Sequence, residues 1–292
     1  MSSNSATLAG RPVHRVGFGA MQLPGPGVFG PPRDRDAALA VLRRAVELGV
    51  DHIDTAQYYG PDVSNELIHT ALHPYPDGLV LVSKVGGARD EQGNWTPAQR
   101  PDQLRAGVEA NLASLEVEAV DVVNLRLMDA GHDVPAGQQT SFDDQLAEMV
   151  ALREEGKIRG IGLSNVSVDQ LRHALDGGIE VACVQNPYNL LAKDDEATLT
   201  LCAERGIAYV PFFPLGSAFP GMPKVTEHPT VIAAAQGLGV TPVQVGLAWL
   251  LGHDPHVLLI PGTSSLEHLE ENWAAGDVTL PEDVHTRLDM LG

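Results

Sequence analysis

Residues 79–85 read LVLVSKV, a nearly continuous apolar run that is interrupted only near its end by a serine and a lysine. Such a run indicates a strand that is buried on both faces, as strands in parallel sheets are. Similar short segments recur along the chain, and a longer helical pattern follows each of them. The eight predicted strand segments are 16–21, 52–56, 79–85, 121–127, 158–165, 181–189, 207–216 and 256–264.

The alternation of these segments with helical patterns predicts the fold class, which is α/β. In the first helical pattern, at 36–49, apolar residues recur at helical spacing and Gly49 suits the C-terminal cap. Eight strand–helix units in a chain of 292 residues favour a (β/α)8 TIM barrel. The alternative, a doubly wound sheet, would need a G-x-G-x-x-G phosphate loop after an early strand, and residues 17–27 (GFGAMQLPGPG) do not supply one.

The ends of the chain and its composition add further expectations. The segment TLAGRPVHRV at 7–16 predicts an N-terminal β-hairpin, and the absence of a Gly/Ser/Pro-rich linker predicts one domain over residues 1–292. A formal charge of −19 disfavours nucleic acid and anionic membranes as partners. Two cysteines in apolar stretches, no apparent signal peptide and no apolar run near ~20 residues predict a soluble, cytoplasmic protein.

In a barrel of this class the functional side chains lie where strands end, because the loops after the strands build the site. Asp54 ends the segment HID, Lys84 ends LVLVSK, and Tyr58 and Tyr59 follow in the first of these loops. The other predicted strand ends also carry polar or aromatic side chains: Arg126, Ser164, Asn165, Gln185, Phe212 and Thr263.

An aspartate, a lysine and a tyrosine form a chemically coherent set. A phenol has a reference pKa near ~10, and an ammonium group within reach lowers that pKa because it favours the phenolate. A carboxylate such as Asp54 would hold the charge of Lys84 in a pocket. The tyrosine could then donate a proton to a carbonyl oxygen as hydride arrives at the carbon. A purely structural Asp–Lys bridge with surface tyrosines fits the spacing equally well.

The stretch GVDHIDTAQYYG at 49–60 resembles the signature of the aldo-keto reductases. The segments LVLVSKVG, GIGLSN, VQNPYN, VPFFPLG and LLIPGTSSLEHLEEN follow in that family's order and spacing, so the resemblance covers roughly residues 7 to 290. It implies an NADPH-dependent carbonyl reductase on a (β/α)8 barrel, with no metal and no covalent intermediate.

The resemblance also implies roles for individual residues. Asp54, Tyr59 and Lys84 match the catalytic aspartate, tyrosine and lysine of the family, and Phe212 matches the aromatic residue that stacks on the nicotinamide ring. The nicotinamide carboxamide would be held by Ser164, Asn165 and Gln185. The remaining cofactor-binding positions are Leu215, Gly216, Gly262, Thr263, Ser264, His268, Glu271 and Asn272.

Three positions depart from the family pattern. Arg126 stands where the family usually has a catalytic histidine, and we count it among the catalytic residues. Phe212 replaces a tyrosine and keeps the aromatic face. Gly262 and His268 replace a lysine and an arginine that commonly hold the 2′-phosphate, although hydroxyls and a helix N-terminus remain there to bind phosphate. NADP(H) is still the expected cofactor.

Within the family, AMQLPGPGVFGPPRDR at 20–35 and VDVVNLR at 120–126 resemble a bacterial branch that includes pyridoxal reductases. The substrate would then be an aldehyde, with pyridoxal as a candidate. Met21, Tyr58 and Trp95 are predicted to lie in the substrate pocket. Trp95 and Phe219 lie in predicted loops, where they could equally pack the loops themselves.

Two alternatives stay open at the level of sequence. The same fold also serves membrane channels as a nicotinamide-sensing subunit, and turnover of NADPH with aldehydes would distinguish an enzyme from such a sensor. Arg126 could bind two neighbouring oxygens of a substrate such as pyridoxal, or it could form a salt bridge with Asp129. Although His69 and His73 have the H-x-x-x-H spacing, we predict no metal site.

Overall fold

The computed structural model describes residues 4–128, 134, 137, 139–216 and 223–291. Its strands are numbered in chain order. They are β1 Ser5–Leu8, β2 Arg11–His14, β3 Phe18–Gly19, β4 His52–Asp54, β5 Val80–Arg89, β6 Trp95–Ala98, β7 Val120–Arg126, β8 Ile158–Ser164, β9 Val181–Gln185 and β10 Ala208–Tyr209.

A parallel sheet curls around the centre of the molecule in the order β3-β4-β5-β7-β8-β9-β10. Residues 257–259 join its two edges, because Val257 forms a parallel bridge with Tyr209 and Leu259 forms one with Val16. The backbone N–H of Leu258 donates to the carbonyl of Tyr209 at 2.9 Å. The predicted eighth strand therefore closes the barrel through single bridges, and the predicted (β/α)8 fold is confirmed.

The helices pack outside this sheet and bury their apolar faces against it. The first begins at Asp34, whose carboxylate accepts from the backbone N–H of Ala37, and ends at Gly49, whose φ of +106° suits glycine. The helices are α1 Arg35–Leu48, α2 Val63–Leu72, α3 Pro101–Leu115, α4 Phe142–Glu154, α5 Val168–Asp176, α6 Glu196–Arg205, α7 Pro229–Leu238, α8 Pro242–His253, α9 Leu266–Ala274 and α10 Glu282–Asp289.

The predicted N-terminal hairpin, β1 and β2, covers the end of the barrel at which the strands begin. Leu8 and Val13 of the hairpin pack against apolar side chains inside the barrel. Arg11 binds the buried carboxylate of Asp121 at 2.9 Å, and that carboxylate also accepts from Arg159 at 2.6 Å. Because the hairpin covers one end, a ligand enters the barrel at the other, where the strands end.

Trp95 does not lie in a loop, as the sequence suggested, but in β6. This strand pairs antiparallel with the end of β5, with Trp95 opposite Arg89. The turn between them is held by Asp90, whose Oδ1 accepts from the backbone N–H of Asn94 at 2.8 Å. The segment WTPA has neither an alternating pattern nor an apolar run, so its sequence carries no strand signal. Phe219 and Asp129 lie outside the described residues.

Two further observations concern the whole chain. Among the described residues, no single helix is long and apolar enough to cross a membrane. The helices α7 and α8, which meet at a bend of 94°, reach that length and apolarity only when taken together. One domain over residues 1–292 stays a prediction.

Candidate active site

A cavity of about 1060 Å³ opens at the end of the barrel where the strands end. All the predicted site residues line it except Ser164 and Asn165. The lining also includes residues that were not predicted as site residues, chiefly the loop after β3 at 23–28 together with Arg33, Met128, Phe213 and Val243. The position of that loop at a strand end was the signal that could have identified it.

A buried ion pair forms the floor of the cavity. Lys84 Nζ donates to Asp54 Oδ1, and also to the backbone carbonyl of Thr55 at 3.1 Å. The second carboxylate oxygen, Asp54 Oδ2, accepts from Gln185 Nε2 at 2.6 Å. Asp54 and Lys84 are only 3% and 4% exposed, and they lie on neighbouring parallel strands, β4 and β5. Each charge is thus opposed by its partner and hydrogen-bonded further, which buried charges require.

Tyr59 lies directly above this pair. Lys84 Nζ is 5.1 Å from the centroid of the Tyr59 ring and therefore faces the aromatic ring. Burial raises the pKa of Tyr59 well above its ordinary value, the charge of Asp54 raises it further, and Arg126 and Arg89 oppose the shift. The sequence-based expectation that a lysine would lower the pKa of Tyr59 is therefore wrong for this structure, because removal of the phenol from water dominates.

The hydroxyls of the neighbouring residues Tyr58 and Tyr59 differ in their access to the cavity. The Tyr58 hydroxyl oxygen is sealed from solvent and has no hydrogen-bond partner among the described residues. Tyr59 lies edge to face with Tyr58, at 5.5 Å between ring centroids, and its hydroxyl has no described partner but is not sealed. Trp95 packs against both rings, and Met21 packs against the cluster that the two tyrosines form with Ala56. Of the two phenols, Tyr59 is the one that a ligand in the cavity can reach.

A row of polar side chains crosses the ends of β7, β8 and β9. In the register of the sheet, Ser164 lies beside Arg126 on one side and beside Gln185 on the other. The Ser164 hydroxyl accepts from Arg126 Nη1 at 3.2 Å. Asn165 Nδ2 donates to the backbone carbonyl of Leu127 at 2.8 Å. Ser164 and Asn165 thus lie in the layer next to the cavity and not on its surface.

One polar atom of Gln185 is left unsatisfied by the described part of the chain. Its Nε2 donates to Asp54, and this bond fixes the orientation of the amide, since the opposite orientation would place two oxygens together. Gln185 Oε1 is buried and has no hydrogen-bond partner among the described residues, although the side chain lines the cavity. A buried acceptor of this kind is expected to bind a donor from a ligand.

Phe212 lines the cavity beside Arg126. Its ring centroid is 5.0 Å from Arg126 Cζ, and it lies edge to face with Phe213 at 5.2 Å. The chain then turns through Leu215 and Gly216, which both line the cavity. Gly216 has a φ of +86°, and a Cβ atom there would lie 2.2 Å from the carbonyl oxygen of Pro223. No other residue fits this turn without displacing the backbone.

The far end of the cavity meets the N-terminus of α9. The helix is capped by Ser265, whose hydroxyl accepts from the backbone N–H of His268. Thr263 is buried and its Oγ1 accepts from the backbone N–H of Ser265 at 3.0 Å, whereas Ser264 and His268 are exposed. Together with the helix dipole, these groups suit an anion. The remaining predicted residues at this end are Gly262, Glu271 and Asn272.

Arg89 helps to build the site, although it was not predicted from the sequence. Its Nη2 donates to the backbone carbonyls of Gly27 and Val28, at 2.6 and 2.8 Å. Its Cζ lies 3.5 Å from the centroid of the Trp95 ring. Arg89 thus joins the loop after β3 to β6 and holds Trp95 edge-on to both tyrosines. The contact depends on the pairing of β5 with β6, which the sequence does not indicate.

Comparison with known proteins gives a consistent result. The family model described as "Aldo/keto reductase family" matches residues 15–292. The chain is 48% identical over 291 residues to pyridoxine 4-dehydrogenase of Escherichia coli K12, covering 100% of this chain and 99% of that protein.

Solved structures agree with this match. A thermostable aldo-keto reductase in complex with the inhibitor epalrestat superposes with a TM-score of 0.81 at 28% identity, covering 99% of both chains. An aldo-keto reductase from Klebsiella pneumoniae in complex with NADPH superposes with a TM-score of 0.77 at 25% identity, covering 99% of this chain and 95% of that one.

Proposed function

The chain belongs to the aldo/keto reductase family, and we propose that it is an NADPH-dependent carbonyl reductase whose substrates include pyridoxal. One observation carries the proposal: Tyr59, a phenol open to the cavity, lies above the buried Lys84–Asp54 pair. The E. coli relative, a pyridoxine 4-dehydrogenase by name, supports the choice of pyridoxal. No described feature favours a cofactor-sensing subunit without turnover.

The residues of the cavity fit a nicotinamide cofactor. The unsatisfied Gln185 Oε1 would accept from the carboxamide of the nicotinamide, and the face of Phe212 would pack against its ring. Thr263, Ser264 and the N-terminus of α9 would bind the phosphate beside the adenine. The reduced cofactor supplies a hydride to the carbonyl carbon. The protein must therefore supply the proton and hold the substrate.

The proton is assigned to the Tyr59 hydroxyl. As the carbonyl carbon gains hydride, its oxygen becomes basic and takes the phenolic proton, which leaves a tyrosinate at Tyr59. Lys84 stabilises that anion, and Asp54 keeps the lysine charged and in place. The walls built by Trp95 and Tyr58 exclude water, which strengthens these interactions.

A screen of NADPH oxidation with a panel of aldehydes that includes pyridoxal tests the proposed function. We expect turnover of several aldehydes, with pyridoxal among those of highest kcat/KM. A protein that binds NADPH tightly and turns over no carbonyl compound would contradict the enzymatic proposal and support the sensor. Turnover of other aldehydes but not of pyridoxal would support the reductase activity and contradict the choice of pyridoxal as a substrate.

The raised pKa of Tyr59 predicts opposite pH dependences in the two directions. Since burial keeps the phenol protonated, the acid needed for reduction is present across the range from about pH 6 to about pH 9, and kcat for reduction is expected to be flat there. Oxidation of the alcohol needs the phenolate, whose population rises about tenfold per pH unit below the pKa, so its kcat should rise with pH. Single-turnover kinetics in both directions measure this, and a reduction rate that falls within this range would contradict the assignment.

His268 is expected to set the preference for NADPH over NADH. It lies exposed in the first turn of α9 and lines that end of the cavity. Because lysine carries a more permanent charge than histidine, His268→Lys should tighten NADPH binding by roughly three- to tenfold, and His268→Ala should weaken it to a similar extent. Fluorescence titration with both cofactors measures this. Equal changes for NADH would show that His268 does not bind the 2′-phosphate.

A further inference from the structure

Arg126 is a cation without a carboxylate partner among the described residues. Its side chain is half-buried and lines the cavity, and the ion pairs of the described part of the chain do not include it. The described hydrogen bond of its guanidinium goes to a neutral group, from Nη1 to the Ser164 hydroxyl at 3.2 Å. In a chain with a formal charge of −19, a cation inside a ligand cavity that has no counter-ion among the described residues is expected to bind an anion.

The position of this cation is fixed on two sides. The neighbouring strand β8 presents Ser164 in register with it, and the ring of Phe212 lies 5.0 Å from Cζ on the other side. The remaining N–H groups of the guanidinium form a planar fork, which matches two adjacent oxygens better than one. Tyr59 lines the same cavity, above Lys84. Arg126 ends β7, which pairs with β5, the strand that carries Lys84, so Arg126 and Tyr59 face the same part of the cavity.

We propose that Arg126 selects carbonyl substrates that carry an anionic oxygen next to the carbonyl group, of which aromatic aldehydes with an ionised ortho hydroxyl are the simplest class. The inference rests on the proposed function and deepens it by naming the substrate class. One arm of the fork binds the ionised ring oxygen, and the carbonyl oxygen beside it faces Tyr59. The reaction itself is unchanged: hydride goes to the carbonyl carbon, the Tyr59 proton goes to the carbonyl oxygen, and Arg126 makes and breaks no covalent bond.

The test compares three aldehydes at a pH at which the phenols are ionised: 2-hydroxybenzaldehyde, 4-hydroxybenzaldehyde and benzaldehyde. In the unaltered protein we expect the 2-hydroxy compound to have the highest kcat/KM. Arg126→Leu should lower kcat/KM for this compound by roughly 10- to 150-fold more than for the other two, which is the loss of one charged hydrogen bond. Arg126→Lys keeps the charge but loses the fork, and should recover part of the selectivity.

Asp129→Asn is the matched control for a salt bridge with Arg126. We expect it to leave the ratio of the three kcat/KM values unchanged. Thermal unfolding of each variant, with a Tm within a few degrees of the unaltered protein, shows that the losses are not due to misfolding.

Several outcomes would overturn the proposal. Equal losses for all three aldehydes in Arg126→Leu would show that Arg126 serves the shared carbonyl or Tyr59. A similar loss for the 4-hydroxy compound would show that the position of the anion does not matter, and a changed ratio in Asp129→Asn would show that the cation is already paired. These outcomes leave the proposed function standing. If the unaltered protein reduces none of the aldehydes with NADPH, the proposed function fails and this inference fails with it.

Discussion

Tyr59→Phe is expected to lower kcat for aldehyde reduction by about 100-fold or more, while the dissociation constant of NADPH stays unchanged. The substitution removes a single oxygen from a ring that packs beneath Trp95 and above Lys84, so the cavity keeps its shape. What is lost is the proton that the carbonyl oxygen needs in the transition state, and general-acid catalysis contributes typically 10²- to 10⁴-fold. Steady-state kinetics and fluorescence titration with NADPH measure the two quantities.

Tyr58→Phe is the matched control, because it removes the same atom from the adjacent ring. The Tyr58 hydroxyl is sealed and lacks a described partner, so we expect kcat to change by less than about threefold. Stability should stay the same or rise, since an unsatisfied buried hydroxyl costs about 1–3 kcal/mol. If Tyr58→Phe abolished turnover and Tyr59→Phe did not, the proton donor would be Tyr58.

The buried ion pair at the floor of the cavity could be predicted from the sequence for a physical reason. A strand buried on both faces has to be apolar, so a lysine at the end of LVLVSK and an aspartate at the end of HID are exceptions that need a cause. Their mutual hydrogen bond in the structure is that cause. The predicted strand segments also indicated that the two side chains would meet, because parallel strands align their ends at one edge of the sheet.

The features that could not be predicted depend on contacts between distant segments. The antiparallel pairing of β6 with β5 places Trp95 over the tyrosines, and the segment that does so has no strand pattern of its own. Arg89 holds this arrangement through backbone carbonyls, which are the same for every sequence. The pKa of Tyr59 follows from the enclosure that these segments build. The sequence shows a lysine that could approach the phenol and lower its pKa, but it does not show the burial that raises the pKa. In the structure the effect of burial is the larger of the two.

Removal of either partner of the buried ion pair is expected to destabilise the protein by about 3–5 kcal/mol, because it leaves the other charge uncompensated in the core. Lys84→Met leaves the Asp54 carboxylate with only the amide of Gln185, and Asp54→Asn leaves the ammonium with neutral acceptors only, the new amide oxygen and the carbonyl of Thr55. Both variants should also lose turnover, since Lys84 stabilises the tyrosinate that forms at Tyr59. Equilibrium unfolding in urea and steady-state kinetics measure the two effects.

The double variant, Lys84→Met with Asp54→Asn, separates stability from catalysis. It contains no unpaired charge, so the free energy of unfolding should recover to within about 1–2 kcal/mol of the unaltered protein, well short of the sum of the two single losses. Turnover should not recover, because no cation then lies beneath the Tyr59 ring. Additive losses in stability would mean that the two charges do not interact in the core. Recovery of kcat would mean that the pair is only a structural bridge, the alternative that the spacing in the sequence left open.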